Sequence, residues 1–358
     1  MRYVKYLLIV VAVLALGLFV ARRVFAVQIG EAAFRTAAKA NLGRNPVAGQ
    51  PDGLALILVG TGSPLPDPTR AGPMTVVSAG GKLFAVDAGG GSARSFGGLA
   101  LPWGQLEAVL LTHYHSDHID GLGEVVLQHW AAGGATSPLP VYGPEGLDWV
   151  VDGLNLTYAQ DTTYRIAHHG EAVVPPSGAG AVAHTFEEPA DPAMIYDQDG
   201  LTITAVAVKH APVHPAVGYR FDYKGRSITV SGDTAKSEAL IALSGDTDIL
   251  VHEALNTDMV GVIEDELTSQ SLNRLAKIMA DIPGYHASPV EAAESAAEAG
   301  ADMLVLTHIV PVLPSPVLYP AFLKGTEDAF DGPIVLGEDG MMFVLPAGSD
   351  KITRERID

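Results

Sequence analysis

The chain has 358 residues, of which 48% are hydrophobic and only 18% are charged, and this composition excludes collagenous and disordered chains. Its 22 basic and 41 acidic side chains give a formal charge of −19, which disfavours nucleic acid as a partner because phosphate binding needs clustered Lys and Arg. The absence of cysteine excludes disulfides and thiolate metal sites, so any metal must bind to His and carboxylate side chains.

An uncharged apolar run of 16 residues, at positions 6–21, lies near the N-terminus between basic residues. It is close to the roughly 20 residues that span a bilayer. Val24 and Ala26 suit a signal cleavage site, whereas Arg22 and Arg23 between them and the apolar run favour an uncleaved anchor. We predict that residues 1–26 are a signal-anchor or transmembrane segment. The protein would then be membrane-anchored or exported, on the extracytoplasmic (periplasmic) side.

Charge is distributed unevenly along the chain. Residues 1–50 hold seven basic side chains and one acidic side chain, which leaves 15 basic and 40 acidic for the remainder, a formal charge of −25. This acidic bulk favours export. We predict a stalk and linker over residues 27–53, one large globular domain over residues 54–348 and a C-terminal tail over residues 349–358.

The globular domain alternates short apolar runs typical of strands with segments of helical spacing. In its first half, strands are predicted at residues 54–59, 75–79, 82–87 and 108–112. Helices follow at residues 119–132 and 145–160, and a Gly/Pro-rich irregular stretch at residues 175–192. In its second half, strands are predicted at residues 201–209, 217–223, 227–231, 247–252 and 303–307, with helices at 235–243 and 289–299 and a last hairpin at 334–336 and 341–345. Two such halves indicate two packed sheets with helices outside.

A dense group of metal-binding side chains directly follows the fourth predicted strand, in the sequence His-Tyr-His-Ser-Asp-His. Because side chains alternate in extended backbone, His113 and His115 point the same way and can bind one metal. A helix that begins at Ser116 would turn Asp117 and His118 towards a second ion. Neutral imidazole and carboxylate suit Zn²⁺, with Mn²⁺ or Fe²⁺ as alternatives.

This H-x-H-x-D-H motif is the signature of the metallo-β-lactamase superfamily, and the sequence from about residue 54 to residue 345 resembles the ribonuclease Z and arylsulfatase-like branch of that superfamily. The resemblance rests on further motifs in the same order: LVGTGSP at residues 58–64, AVDAG at 85–89, GYRF at 218–221, SGDT at 231–234, HEA at 252–254, HAS at 286–288 and LTH at 306–308. It implies an α/β (α+β) fold, an αββα sandwich with metals at one edge between the sheets. Residues 54–348 would then form a hydrolase domain.

The resemblance also implies a ligand set for two zinc ions. One ion would be held by three histidines, the other by a carboxylate and two histidines, and one aspartate would bridge them: His113, His115 and His210; Asp117, His118 and His308; and Asp233. Spacing alone also admits His214 in place of His210, although His210 directly ends the alternating run at residues 201–209. His168, His169 and His184 lie in a loop-rich region and are expected to be solvated or to lie at the rim.

The same resemblance implies hydrolysis of an ester-type bond by a metal-bridging hydroxide. Asp117 would orient the hydroxide or accept its proton, and His286 is the candidate general acid. Asp87 and Glu253 would fix the histidine tautomers. The bond could be a phosphodiester, a sulfate ester, a carboxylic ester or a lactone.

Two departures from ribonuclease Z affect the predicted substrate. The last ligand is followed by Ile-Val-Pro at residues 309–311, where ribonuclease Z carries S-x-R-Y, and the turn after Asp87 lacks its E-G-T-Q sequence. Together with the charge, they favour a small or medium ester-type substrate and disfavour nucleic acid. A ribonuclease Z-like endonuclease and a catalytically idle sensor or scaffold are the alternatives. Membrane contact through the N-terminal segment and a homodimer are both compatible with the sequence.

Overall fold

The computed structural model describes residues 2–357 and divides the chain into two compact units, one ending at Asn45 and the other beginning at Pro46. The first unit consists of helix α1 (Arg2–Val24) and helix α2 (Ala26–Asn41). The segment Tyr3–Val24 is long and apolar enough to cross a membrane, and none of it is buried. The predicted N-terminal apolar helix is therefore present.

The second unit contains the remaining helices and strands in mixed order along the chain. They are β1 (Gly53–Gly60), β2 (Met74–Ala79), β3 (Lys82–Val86), α3 (Ser92–Gly98), β4 (Leu106–Leu110), α4 (Ser116–Ile119), α5 (Leu122–Ala131), β5 (Leu139–Pro144), α6 (Leu147–His169), β6 (Ala181–Phe186), β7 (Ala193–Gln198), β8 (Leu201–Ala207), β9 (Val217–Tyr223), β10 (Arg226–Val230), α7 (Glu238–Leu243), β11 (Ile249–Leu255), α8 (Thr257–Ser269), α9 (Asn273–Asp281), α10 (Pro289–Ala299), β12 (Met303–Val310), α11 (Tyr319–Phe322), α12 (Thr326–Ala329), β13 (Ile334–Leu336), β14 (Met341–Pro346) and β15 (Thr353–Arg356).

Between residues 46 and 357 the strands form two sheets, with the orders β15-β14-β1-β2-β3-β4-β5-β6 and β13-β12-β11-β10-β9-β8-β7. Their inner faces share one apolar core, in which Phe84 of β3 and Phe221 of β9 meet edge to face with ring centroids 6.5 Å apart. On the outer faces, Phe96 of α3 packs on the first sheet, and Ala292 and Ala296 of α10 pack on the second. The predicted αββα sandwich is confirmed.

Parallel pairing brings the carboxyl ends of several strands to one edge of this sandwich. Strand β4 is parallel to β3 and β5, and β10, β11 and β12 are parallel in the other sheet. At this edge the amide of Val217 donates to the carbonyl of Thr112 across the two sheets, at 3.0 Å. Loops that leave such strand ends converge there, which places the segment after β4 opposite the segment after β10.

Some predicted elements differ from the structure. The predicted hairpin of residues 334–336 and 341–345 is wrong, because β13 pairs with β12 in one sheet and β14 pairs with β1 in the other. The stretch predicted as irregular at residues 175–192 contains β6, and helices α8 and α9 were not predicted. Both strands of the supposed hairpin are apolar on both faces, so tertiary packing decides their partners.

Candidate metal centre

The first group of candidate ligands gathers around His115, whose backbone is extended with φ −61° and ψ 146°. Its Nδ1 lies 3.0 Å from Nε2 of His113 and 3.4 Å from Nε2 of His210. One ligand atom from each of these three histidines and from Asp233 lies within 4.8 Å of all the others. Burial lowers the pKa of His113 and of His210, so both imidazoles are neutral at physiological pH and can bind a metal.

The second group of candidate ligands is built on α4, which begins at Ser116. Oδ2 of Asp117 lies 3.5 Å from Nε2 of His118 and 3.3 Å from Nε2 of His308. His308 occupies a bulge in β12, because the pairing with β11 skips it, and its φ of 47° lies in the left-handed region. The bulge turns this imidazole towards Asp117 across the edge between the sheets.

Asp233 lies between the two groups, in the loop after β10. Its Oδ2 is 3.3 Å from Nε2 of His118, 3.4 Å from Nε2 of His308 and 3.9 Å from Nε2 of His113. The carboxylate is buried, which opposes its charge, but the nearby imidazoles of His308 and His118 outweigh that cost and hold the pKa of Asp233 well below its usual range. Its charge and its distances suit a bridging position between two cations.

The structure distinguishes the two histidines that spacing left open. His210 is fully buried, and its Nδ1 lies 3.0 Å from the carbonyl oxygen of Tyr285, so Nε2 faces the first group. The side chain of His214 is 61% exposed, and its Nδ1 lies 3.7 Å from Oε1 of Glu188. Among residues 2–357, His210 and not His214 belongs to a group with metal-binding spacing.

Asp87 orients His118 of the second group through the ring nitrogen that faces away from the other ligands. Its Oδ2 lies 2.8 Å from Nδ1 of His118, and its Oδ1 accepts a hydrogen bond from the amide of Thr112 at 2.8 Å. Nε2 of His118 is therefore directed at Asp117 and Asp233. Burial disfavours the imidazolium, but the carboxylates of Asp233 and Asp87 outweigh it and raise the pKa of His118 well above its usual value. A cation would take the position of that proton.

His286 lies beside these groups, directly before α10. Ser288 caps α10 in a capping box with Glu291, which fixes the start of this helix. Nδ1 of His286 is 2.8 Å from Oε1 of Glu253. Burial lowers the pKa of His286, but the charge and hydrogen bond of Glu253 outweigh burial and raise it to about 9.

The donor set fits divalent cations. Ligand atoms around a tetrahedral zinc with bonds of about 2.1 Å stand about 3.4 Å apart, and the nitrogen and oxygen atoms here are separated by 3.0–3.9 Å. Nε2 of His118 and Oδ1 of Asp233 are buried and have no hydrogen-bond partner in the described chain. Buried polar atoms without partners are rare, and a metal would satisfy them.

The three histidines that were expected to be solvated or at the rim do not belong to either group of candidate ligands. His168 and His169 are exposed at the end of α6, and His184 is exposed on β6 with its ring stacked on Tyr142, at a centroid distance of 4.6 Å. Tyr285, whose carbonyl orients His210, was not predicted from the sequence. Its position directly before His286 was the available signal.

Comparisons with known proteins identify a matching family model and several relatives. Residues 86–309 match the family model described as a beta-lactamase superfamily domain. The chain is 39% identical over 289 residues to ribonuclease Z of Mycobacterium bovis BCG Pasteur, covering 80% of this chain and 96% of that protein. It is 36% identical over 296 residues to ribonuclease Z of Mycobacterium marinum, with the same two coverages.

Solved structures share the fold at low sequence identity. The short form of human tRNase Z superimposes with a TM-score of 0.59 and 22% identity, over 82% of this chain and 99% of that one. The metallo-β-lactamase fold protein YhfI of Bacillus subtilis gives a TM-score of 0.57 and 22% identity, over 81% and 99% of the two chains. These likenesses show the fold.

The relatives also correct one prediction. The charge and the two departures from ribonuclease Z predicted that nucleic acid is an unlikely partner, and this prediction is wrong, because the matched relatives are ribonuclease Z proteins. The formal charge of −19 is a sum over the whole chain. It does not describe the groups that a substrate would meet at the candidate metal centre, where bound cations would dominate the local field.

Proposed function

Because the chain belongs to the metallo-β-lactamase superfamily, with ribonuclease Z proteins as relatives over 80% of its length, we propose that this metal-dependent hydrolase is a ribonuclease Z-like endonuclease. The bond cleaved would be an RNA phosphodiester, one of the four ester types that the sequence predicts. The observation that carries the proposal is the 39% identity to ribonuclease Z, joined to an assembled donor set of histidines and aspartates at the sheet edge.

The chain's own residues define two adjacent cation positions. We propose that both hold zinc, with the first three histidines on one ion, the second group on the other and Asp233 between them: His113, His115 and His210; Asp117, His118 and His308. When bound, such cations supply Lewis acidity and make water nucleophilic near neutral pH.

The proton transfers of the reaction require side chains that can accept or donate a proton, and Asp117 and His286 can do so. Asp117 is only half-buried, so its carboxylate can orient the attacking water and accept its proton. His286 donates Nδ1–H to Glu253, which leaves Nε2–H for the leaving oxygen of the substrate. Glu253 acts as a positioning residue, because it fixes the ring and favours the charged imidazole that can donate.

Helix α1 supports a proposal about attachment. Its length and composition suit a membrane anchor. The extracytoplasmic side stays a prediction. This side conflicts with an RNA substrate made inside the cell. Labelling of an introduced cysteine with an impermeant reagent shows on which side of the membrane the cysteine lies. The native chain, which has no cysteine, is the control.

Cleavage of RNA by the full-length chain, purified in detergent and loaded with zinc, tests the proposed function. Structured tRNA transcripts with extended ends serve as substrates, and bis(p-nitrophenyl) phosphate serves as a small phosphodiester. We expect metal-dependent cleavage of the RNA at a defined position, abolished by chelation and restored by zinc. The proposal would be refuted if the protein hydrolysed the small phosphodiester but left every RNA intact. The protein would then be a small-ester hydrolase.

A further inference from the structure

Tyr285 is an aromatic side chain next to the candidate general acid to which the proposed mechanism assigns no task. It is the last residue of a short 3-10 helix, Ile282–Tyr285, which connects α9 to His286. The side chain is half-buried, so part of the ring faces solvent beside the metal centre. Gly284 before it is exposed and carries no side chain that could cover the ring.

The ring of Tyr285 is held in place by two imidazoles. Its centroid lies 4.9 Å from that of His286, at an interplanar angle of 46°, and 5.3 Å from that of His210, at 82°. Neither neighbour is stacked face to face with it. Within residues 2–357 no third ring contacts it and its hydroxyl has no hydrogen-bond partner, while its carbonyl holds His210. The ring is therefore positioned but retains a surface for another flat group.

Resting on the proposed function, we infer that Tyr285 stacks on the nucleobase of the RNA nucleotide that carries the leaving oxygen. His286 must reach that oxygen, and the base of the same nucleotide is one sugar away from it. The ring of Tyr285 lies beside the imidazole of His286, with the centroids 4.9 Å apart. A base one sugar away from the leaving oxygen could therefore reach this ring. Base–aromatic stacking tolerates every base, because each one presents a flat π-face.

A protein–substrate double cycle with the full-length zinc-loaded chain tests this inference. Tyr285→Leu removes the aromatic face, and an RNA that is abasic at the nucleotide carrying the leaving oxygen removes its proposed partner. We expect Tyr285→Leu to raise KM for intact RNA about 10-fold to 100-fold with a smaller effect on kcat. On the abasic RNA, wild type and Tyr285→Leu should have the same KM, because the stacking contact is already lost.

Two variants separate stacking from a structural effect. Tyr285→Phe keeps the ring and should retain the wild-type KM, and Tyr164→Leu, an exposed tyrosine on α6, should also have no effect. An equal loss on intact and abasic RNA, or a Phe variant as poor as the Leu variant, overturns the inference. Wild-type protein that cleaves no RNA overturns the proposed function as well, whereas active wild type with an unaffected Tyr285→Leu variant overturns the stacking alone.

Discussion

Nδ1 of His286 lies 2.8 Å from Oε1 of Glu253, and the same oxygen accepts hydrogen bonds from the backbone amides of Thr234, at 3.1 Å, and Ala287, at 3.2 Å. One carboxylate oxygen thus connects the loop that carries Asp233 with the two residues that precede the cap of α10. Any charge on His286 is balanced by a buried group that is itself fixed at three points. The proton of the candidate acid is therefore held at a defined place beside the metal centre.

Replacing His286 should separate chemistry from metal binding. We expect His286→Gln to lower kcat about 100-fold to 10,000-fold, the range for loss of a general acid, while both zinc ions remain bound. Zinc content by elemental analysis and kcat on RNA are the measurements, and His184→Gln on the exposed face of β6 is the control. Because His286 also lies within 4.8 Å of ligand atoms of Asp233 and His308, a loss of one zinc would make it a ligand instead.

The pH dependence of the reaction should depend on Glu253. A general acid works only when protonated, so the rate falls as pH rises through its pKa, which Glu253 raises to about 9. Glu253→Gln removes the charge that raises it, so the alkaline fall in kcat/KM should begin about one pH unit lower or more. Bound cations shift both proteins alike, so profiles from pH 6 to 10 can be compared directly. Identical alkaline limbs would show that another group titrates.

The sequence was sufficient to predict most of the candidate ligands, because these side chains are close together in the chain or follow strand ends. Alternation and a helix start within six residues predict that His113, His115 and His118 are ligands, and in the structure each belongs to a group with metal-binding spacing. The end of the alternating run already favoured His210 over His214, and the structure adds the burial of His210 and a carbonyl partner from a distant turn. Such contacts depend on tertiary packing, which no local pattern contains.

Three other features could not be predicted because they depend on how distant parts of the chain pack together. The bulge at His308 is a mismatch between two paired strands, so it appears only when β11 and β12 are aligned. The supposed hairpin of β13 and β14 failed because adjacent strands can join different sheets. The whole-chain charge misled the substrate prediction, because it averages over surfaces far from the site.

Removing the carboxylate behind His118 should weaken metal binding without removing a ligand. Asp87→Asn keeps the shape of the side chain but loses the charged partner of Nδ1, so we expect zinc affinity at the second group to fall about 10-fold to 100-fold. Competition with a chromogenic chelator measures this affinity. Asp222→Asn, on the far side of the domain in an ion pair with Arg220, is the control and should bind zinc normally. Unchanged affinity in Asp87→Asn would mean that His118 does not coordinate through Nε2.

Substitution of the two histidines after β8 should assign the third ligand of the first group. His210→Ala removes a buried imidazole whose Nε2 lies 3.4 Å from Nδ1 of His115, so we expect one zinc to be lost and the thermal midpoint to fall, because bound metal stabilises the folded state. His214→Ala removes an exposed side chain and should retain two zinc ions and the wild-type midpoint. Elemental analysis and thermal unfolding with and without chelator measure both effects. After chelation His210→Ala should have the same midpoint as chelated wild type, which separates metal loss from damage to the fold. Loss of zinc in His214→Ala, with normal content in His210→Ala, would require the loop at residues 208–216 to rearrange when metal binds.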